Sequence, residues 1–587
     1  MPVRRHAGGS CKVAISPSAA RDPDAGYTVS LMNDPAHSDS VDVGASEDST
    51  AFPTLTPAQL TRLADFGEAQ EVGAGEPLFC EGERHYGLIV VLEGSAEIVY
   101  VDHPSGAETV IVTHGPRRFL GELSLLTGQR AVVQGRMTSP GRILRIDQDE
   151  FHRLLASDPE IGDIVFAAFV ARREILRRGV AKGSLRVIGS RHSRRALDLV
   201  NYLRRQRVGH QWIDLDDDAD VAELLADLGV RPAQTPVVLS GGAVLRNPTI
   251  DELASHLGLV YEPNDVDLFD VVIVGAGPAG LAAAVYGASE GLETLLVDSD
   301  FIGGQAGTSS RIENYVGFPS GISGGELVER AALQAQRLGA RISSPSTVTS
   351  IETVGAGYRL TLADGSALIA RAVVLSPGVQ YRRLPIPRLR ELEGAGVYYA
   401  ATDLEARVCG PQPVTVVGGG NSAGQAAVYL AEKGSDVTLA IRGDDLSSSM
   451  STYLIDRIDA SPKIRLVNHS EVTELHGDHH LEEVTITNNQ TGASVRQPCV
   501  GLFSFIGTAP STCWLEGFVE LDANGFVLTD SDLGDVGFDP LPFETSRAGV
   551  FAAGDVRSQS MKRVAAAVGD GSSAIRSVHQ RLAPMTP

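Results

Sequence analysis

Short apolar runs alternate with polar residues through the first part of the chain. Leu88-Ile-Val-Val-Leu-Glu-Gly-Ser-Ala-Glu-Ile-Val-Tyr-Val101 and Glu108-Thr-Val-Ile-Val-Thr-His114 keep a period of two, and glycines separate the runs. From about Leu55 to His114 this pattern predicts a small antiparallel β-barrel. Residues 160–181 change to the helical period and predict a helix that caps it. Residues 184–259 read strand, helix, strand, helix, strand, hairpin and final helix, with LRVIG, HQWIDLD and PVVLS as the strands. From Asp270 onward, an apolar strand runs into a glycine-rich turn twice, at 271–280 and at 414–424. Two such units predict two dinucleotide-binding domains in one chain. Residues 1 to about 50 are rich in Ser, Asp, Gly and Pro without any period, and predict a disordered tail.

At 587 residues the chain exceeds what one core serves, so about three or four domains are expected. Hydrophobic residues at 43% and charged residues at 21% are ordinary for a globular protein. A formal charge of −23 argues against nucleic acid, whose phosphates call for a basic face. Cys11, Cys80, Cys409, Cys499 and Cys513 are scattered with no CxxC pair. That is neither a disulfide framework nor a metal ribbon, so no metal site is assigned and a reducing, cytoplasmic compartment is expected. The first residues hold no continuous apolar run of the signal-peptide kind. The most apolar stretch, Val271 to Ala288, carries Gly275, Gly277, Pro278 and Gly280 near its start, which suits a strand–turn–helix and not a membrane span.

Asp270-Val-Val-Ile-Val-Gly275-Ala-Gly277-Pro278-Ala279-Gly280 places G-x-G-x-x-G after a buried strand and before a helix. Gly275 permits the tight turn, Gly277 lets a pyrophosphate approach the backbone, and Gly280 lets helix and strand pack closely. The helix N-terminus offers unpaired N–H groups to the phosphate charge. The next strand ends at Asp298, placed to bind ribose hydroxyls. Gly303-Gly304-Gln305, Glu313-Asn314-Tyr315 and Gly317-Phe318-Pro319 resemble the flavin-cradling segment of the thioredoxin reductase family. Gly549-Val-Phe-Ala-Ala-Gly554-Asp555, followed by Lys562-Arg563-Val564-Ala-Ala-Ala-Val-Gly569-Asp-Gly571, is similar to that family's second FAD motif. The resemblance covers about residues 269–587. It implies a homodimer that binds FAD through Gly275, Gly277, Pro278, Ala279, Gly280, Asp298, Gly304, Gln305, Asn314, Gly554, Asp555, Arg563 and Val564, with Asp555 on the ribityl chain.

Val414-Thr-Val-Val-Gly418-Gly-Gly420-Asn421-Ser422-Ala423-Gly424 repeats the turn, and its following strand ends in Ile441-Arg442. An NAD site more often carries an acid there; arginine suits a 2′-phosphate through paired, charge-assisted hydrogen bonds, which points to NADPH. The family pattern has a second arginine where this chain has Gly443. Gly418, Gly420, Asn421, Ser422, Ala423 and Arg442 are the NADPH candidates. The family also carries C-A-T-C-D after a G-V-x-Y lead-in. Here the run is Gly396-Val-Tyr-Tyr-Ala400-Ala-Thr-Asp403-Leu404, so Ala400 and Asp403 stand where the two cysteines belong. Neither forms a disulfide or a thiolate adduct. Cys409 and Cys499 read as buried small hydrophobes, and no catalytic side chain is assigned.

Arg118-Phe-Leu-Gly121-Glu122-Leu123-Ser-Leu-Leu-Thr-Gly128-Gln-Arg130-Ala131 resembles the phosphate-binding cassette of cyclic-nucleotide-binding domains. The resemblance assigns Gly121, Glu122, Leu123, Arg130 and Ala131 to the nucleotide: Glu122 accepts from the ribose 2′-hydroxyl and Arg130 pairs with the cyclic phosphate. Val132 stands where a threonine would help hold guanine, which points to cAMP over cGMP. The 184–259 module resembles a glutaredoxin-like thioredoxin fold, with Thr235-Pro236 expected to be cis and Ser190-Arg-His-Ser193 in place of the CxxC.

The expected fold is multidomain α/β: a tail over 1–53, a cyclic-nucleotide-binding barrel over 54–183, a thioredoxin-like module over 184–260, and two Rossmann-like domains. The FAD domain takes 269–387 and 509–587, and the NADPH domain takes 388–508. The expected function is an FAD-dependent NADPH oxidoreductase without the dithiol, regulated by a cyclic nucleotide, with its electron acceptor unread. Two alternatives stand beside it: a true disulfide reductase using other cysteines, and a non-catalytic cyclic-nucleotide and NADPH sensor.

Overall fold

The computed structural model describes residues 50–583 apart from 85, 103–105, 123, 128, 132, 179–184, 207, 217–220, 222–224, 227, 241, 262–267, 310, 402 and 479. The chain forms two compact units, one of residues 1–200 and 209–248, the other of 201–208 and 249–587.

The first unit carries a six-stranded antiparallel sheet and a four-stranded sheet. The alternating run becomes one long strand, Leu88–Asp102, paired with Ala107–His114 on one edge. On its other edge it pairs with Gln134–Ile146, a strand the alternation does not announce because Gly135, Pro140 and Gly141 interrupt it. The sheet therefore continues well beyond His114. Most of the expected tail, residues 1–49, lies outside the described residues, but the fold already includes Ala51, which is fully buried. The predicted capping helix is Pro159–Arg178. It buries Phe169 against Phe119 and Phe151, with ring centroids 6.2 and 5.9 Å apart. In the four-stranded sheet Leu185–Gly189 lies parallel to Gln211–Asp214 and antiparallel to Val237–Ser240, which pairs with Ala243–Arg246. The Thr235–Pro236 peptide is cis, as expected. The second helix of this module falls mostly on residues outside those described.

In the second unit five parallel strands lie side by side. Their order is Arg341–Ser343, Thr294–Val297, Leu268–Val274, Ala367–Leu375 and Val550–Ala552. Side chains of Leu268–Val274 alternate between two cores: Val271 and Ile273 enter one, Val272 and Val274 the other. A parallel strand covered on both faces reads as a continuous apolar run for that reason. A second parallel sheet orders Val397–Tyr398, Gly501–Ser504, Val414–Val417, Val437–Ala440 and Ile464–Val467. The short ribbon of Val379–Tyr381 and Thr508–Pro510 lies in the two stretches of chain that connect these sheets.

Candidate functional site

The first glycine turn follows Val274 and opens the helix Pro278–Ser289. Gly275 has φ +107°, and a Cβ there would stand 2.2 Å from the carbonyl oxygen of Ser376, so no other residue suits the position. A Cβ on Gly280 would lie 1.8 Å from the Gly275 carbonyl, which is the close packing of helix on turn. Gly277, by contrast, faces open space with nothing within 4 Å of a built Cβ. Pro278 takes the first helical position, where its missing N–H costs nothing. The turn thus presents open space in front of unpaired helix-start amides, and this fits a pyrophosphate.

Three distant segments close on this turn. The Gly303 N–H donates to the Ala276 carbonyl at 2.8 Å, and a Cβ on Gly304 would lie 3.1 Å from the Gly277 Cα. The Gln305 side-chain amide donates to the Val379 carbonyl. From the C-terminal motif, Gly554 approaches so closely that a Cβ on it would sit 2.8 Å from the Ala279 Cβ, and one on Gly571 would sit 2.0 Å from the Ala279 carbonyl. Asp555 follows in a one-turn helix, half-buried, and burial raises its carboxyl above the usual range against the pull of Lys562. Arg563 caps the helix that Val564 begins, and its side chain is exposed, as is that of Asn314.

Asp298, expected at the ribose hydroxyls, bonds backbone amides of its own chain. Its Oδ2 accepts the Ala276 N–H at 2.6 Å, and its Oδ1 accepts the N–H groups of Asp300 and Phe301 at 2.9 and 3.2 Å. The carboxylate ties the strand end to the glycine turn. Two further residues escaped the sequence reading. Ser376 Oγ lies 2.9 Å from the Gly275 carbonyl, and Asp570 accepts the Gly554 N–H at 3.2 Å while pairing with Arg557. The sole signal for Asp570 was its place inside the quoted C-terminal run.

The second turn repeats this construction. Gly418 has φ +137°, and a Cβ there would stand 2.3 Å from the Phe505 carbonyl. Gly420 caps the helix Asn421–Glu432, with Ser422 exposed and Ala423 buried behind it. Asn421 Oδ1 accepts the Ser451 N–H at 2.7 Å, and Ser449 Oγ donates to the Gly419 carbonyl at 2.9 Å, so the 443–451 loop is tied to the turn. Arg442 is exposed just beyond the strand Val437–Ala440; its carbonyl accepts from Asn489 at 3.1 Å.

In the first unit, Gly121 has φ +140° and precedes Glu122, which is half-buried ahead of the short helix Ser124–Thr127. Leu123 lies outside the described residues. Arg130 Nη1 donates to the Gly82 carbonyl at 3.0 Å. Ala131 is buried; its N–H donates to the Glu83 carbonyl at 2.9 Å, and its carbonyl accepts the Gly82 N–H at 2.8 Å.

Residues 269–571, which span both glycine turns, match the model of the family described as pyridine nucleotide-disulphide oxidoreductase. The chain belongs to that family. Residues 69–158 match the cyclic nucleotide-binding domain. The thioredoxin reductase of Streptomyces clavuligerus is 33% identical over 320 residues, which is 54% of this chain and 95% of the relative. That of Bacillus subtilis is 34% identical over 312 residues, 53% of this chain and 94% of the relative. The crystal structure of T. acidophilum thioredoxin reductase matches with 31% identity and a TM-score of 0.49, over 53% of this chain and 98% of that one. This member of the pyridine nucleotide-disulphide oxidoreductases is thus a thioredoxin reductase-like flavoprotein enzyme, with FAD and NADPH as cofactors and a cyclic nucleotide-binding domain in front.

Within this oxidoreductase, Ala400 is half-buried and Asp403 opens the helix Asp403–Cys409. Cys409 and Cys499 are both free and buried, and they flank Gly501. The Cys409 Sγ is 2.6 Å from where a Gly501 Cβ would stand, while the Cys499 thiol donates to the Gly501 carbonyl at 3.2 Å. They belong to different apolar clusters. Burial pushes the Cys409 thiol up to about 12 and the Cys499 thiol up to about 11. Among the described residues no group of three or more His, Cys, Asp or Glu is arranged to hold a metal ion, and no helix is long and apolar enough to cross a membrane.

Proposed function

We propose that this oxidoreductase moves electrons from NADPH through FAD to an acceptor directly, with no protein dithiol between, and that a cyclic nucleotide regulates it. The observation that carries the reading is the pair Ala400 and Asp403 at the relay positions, together with thiols elsewhere that burial keeps protonated. FAD, when bound, would supply the hydride- and electron-transfer chemistry. The chain's own residues bind and orient. The turn Gly275–Gly280 and the start of Pro278–Ser289 offer amides to the FAD pyrophosphate, Gly304 and Gly554 crowd the same turn, and Gln305 and Asp555 follow them directly in the chain. Asp298 acts there chiefly by fixing the turn. Gly418, Gly420 and Asn421–Ala423 offer the matching cradle for NADPH, with Arg442 for its 2′-phosphate. Glu122 and Arg130 serve cAMP. The strand order and directions over 185–246 support the thioredoxin-like reading of that module, which lacks the cysteines for thiol exchange.

The test is a variant with all five cysteines replaced by Ser or Ala. We expect unchanged NADPH-driven bleaching of the flavin, unchanged reduction of an acceptor dye, and no turnover of a thioredoxin disulfide by either protein. A second reading has one observation in its favour, the approach of Cys409 and Cys499 to the same glycine. Thioredoxin turnover by wild type that the cysteine-free variant loses would establish it and sink the first.

A further inference from the structure

The helix Pro159–Arg178 buries one arginine in the cyclic nucleotide-binding domain. Arg172 is only 7% exposed. Its Nη1 donates to the Gly121 carbonyl at 2.7 Å, its Nη2 to the Phe119 carbonyl at 3.1 Å, and its Nε to the Ala51 carbonyl at 2.8 Å. The guanidinium also lies over the Phe119 ring, 4.6 Å from its centroid, and near that of Phe52 at 5.4 Å. The neighbouring His114 adds no like charge beside it: burial and the charge of Arg172 push its ring down to about 3, so it stays neutral. Burial lowers Arg172 itself to about 9, with Tyr86 and then Glu122 acting the other way.

Among the described residues this buried cation is bonded to carbonyls and to no carboxylate, an expensive way to hold a fold together, because three neutral acceptors only partly replace its hydration. Two of the three carbonyls belong to the residues that lead into Glu122. A rigid, planar fork of donors suits that task, since it holds separate carbonyls in one fixed geometry.

We propose that Arg172 is a positioning residue for ribose recognition: it fixes the Phe119–Gly121 backbone so that Glu122 meets the 2′-hydroxyl of a cyclic nucleotide, and it joins that turn to the helix Pro159–Arg178. The inference rests on the reading of residues 119–131 as a cyclic-nucleotide site. A merely structural arginine would change stability and leave the preference for the 2′-hydroxyl intact.

The experiment uses the full chain and calorimetric titration with cAMP and with 2′-deoxy-cAMP. Wild type should prefer cAMP by about tenfold or more, the usual worth of a hydrogen bond to a charged acceptor. In Arg172→Met the ratio of the two affinities should fall toward one, while Arg130 and the phosphate keep residual binding. Arg172→Lys, which keeps the charge without the fork, should lose part of the ratio. Thermal unfolding is followed in parallel; if Arg172→Met does not fold, Arg172→Lys decides. An undiminished ratio in a folded variant overturns the inference. Wild type binding cAMP without any preference also overturns it. Wild type binding neither nucleotide overturns the site reading on which it stands.

Discussion

Arg442 is exposed at the end of Val437–Ala440, with Asp444 and Asp445 close behind it in sequence. Those two acids have other work: Asp444 faces His469 at 3.3 Å, and Asp445 accepts the N–H and hydroxyl of Ser447 at 2.8 and 2.7 Å. The guanidinium remains the group suited to a 2′-phosphate. Arg442→Ala is expected to weaken NADPH by about tenfold or more and to leave NADH nearly unchanged, as read by titrating flavin reduction with each. Equal losses for both would show that Arg442 reads nothing specific. At this scale the sequence made the glycines legible, because Gly275 and Gly418 are dictated by backbone geometry alone. Asp298 was legible as the acid at the strand end, but its contacts were not. Its carboxylate turns toward amides of the chain itself, a choice set by the loop 299–301 and invisible to spacing. Ser376 carried no signal and Asp570 only its place in the C-terminal run, since a serine after a strand and an acid inside a helix are common and only tertiary contact gives them a role.

Among the elements, the helices Pro278–Ser289 and Val564–Leu582 hold the two ends of the flavin motif together. Their crossing depends on Gly571, where any side chain would enter the Ala279 carbonyl. Gly571→Val should force the helices apart, lower the thermal midpoint and yield protein that loses its flavin on gel filtration. Ser573→Val, on an exposed position of the same helix, should stay yellow, which separates packing from helix propensity. A yellow Gly571→Val would show that the crossing does not matter for FAD. Elements with a clean period were legible: Leu88–Asp102, Pro159–Arg178 and both parallel strands before the glycine turns. Gln134–Ile146 was not, although it forms the longest pairing of its sheet. Its Gly-Arg-Met-Thr-Ser-Pro-Gly run breaks the alternation, and the pairing comes from the partner strand and not from local preference.

For the whole molecule, regulation by a cyclic nucleotide requires that the nucleotide-binding domain be coupled to the flavin enzyme. The chain carries a cyclic nucleotide-binding domain in one compact unit and the oxidoreductase family match in the other. Fusion alone establishes no communication. A ligand shifts an equilibrium only as far as it binds two states with different affinity, and the coupling must be the same in both directions. If cAMP changes the affinity for NADP⁺ by some factor, NADP⁺ must change the affinity for cAMP by that factor. We expect a coupling of about five-fold or more, within the usual range. It is measured by titrating cAMP with and without saturating NADP⁺, then titrating NADP⁺ with and without saturating cAMP. Arg130→Ala should abolish both shifts while leaving NADP⁺ binding in the absence of cAMP as in wild type. Agreement between the two factors, and their joint loss in Arg130→Ala, would make the N-terminal domain a regulator acting through binding. Equal affinities in all four titrations, with cAMP demonstrably bound, would leave the domain with no hold on the nicotinamide site, and regulation would have to act on electron transfer itself.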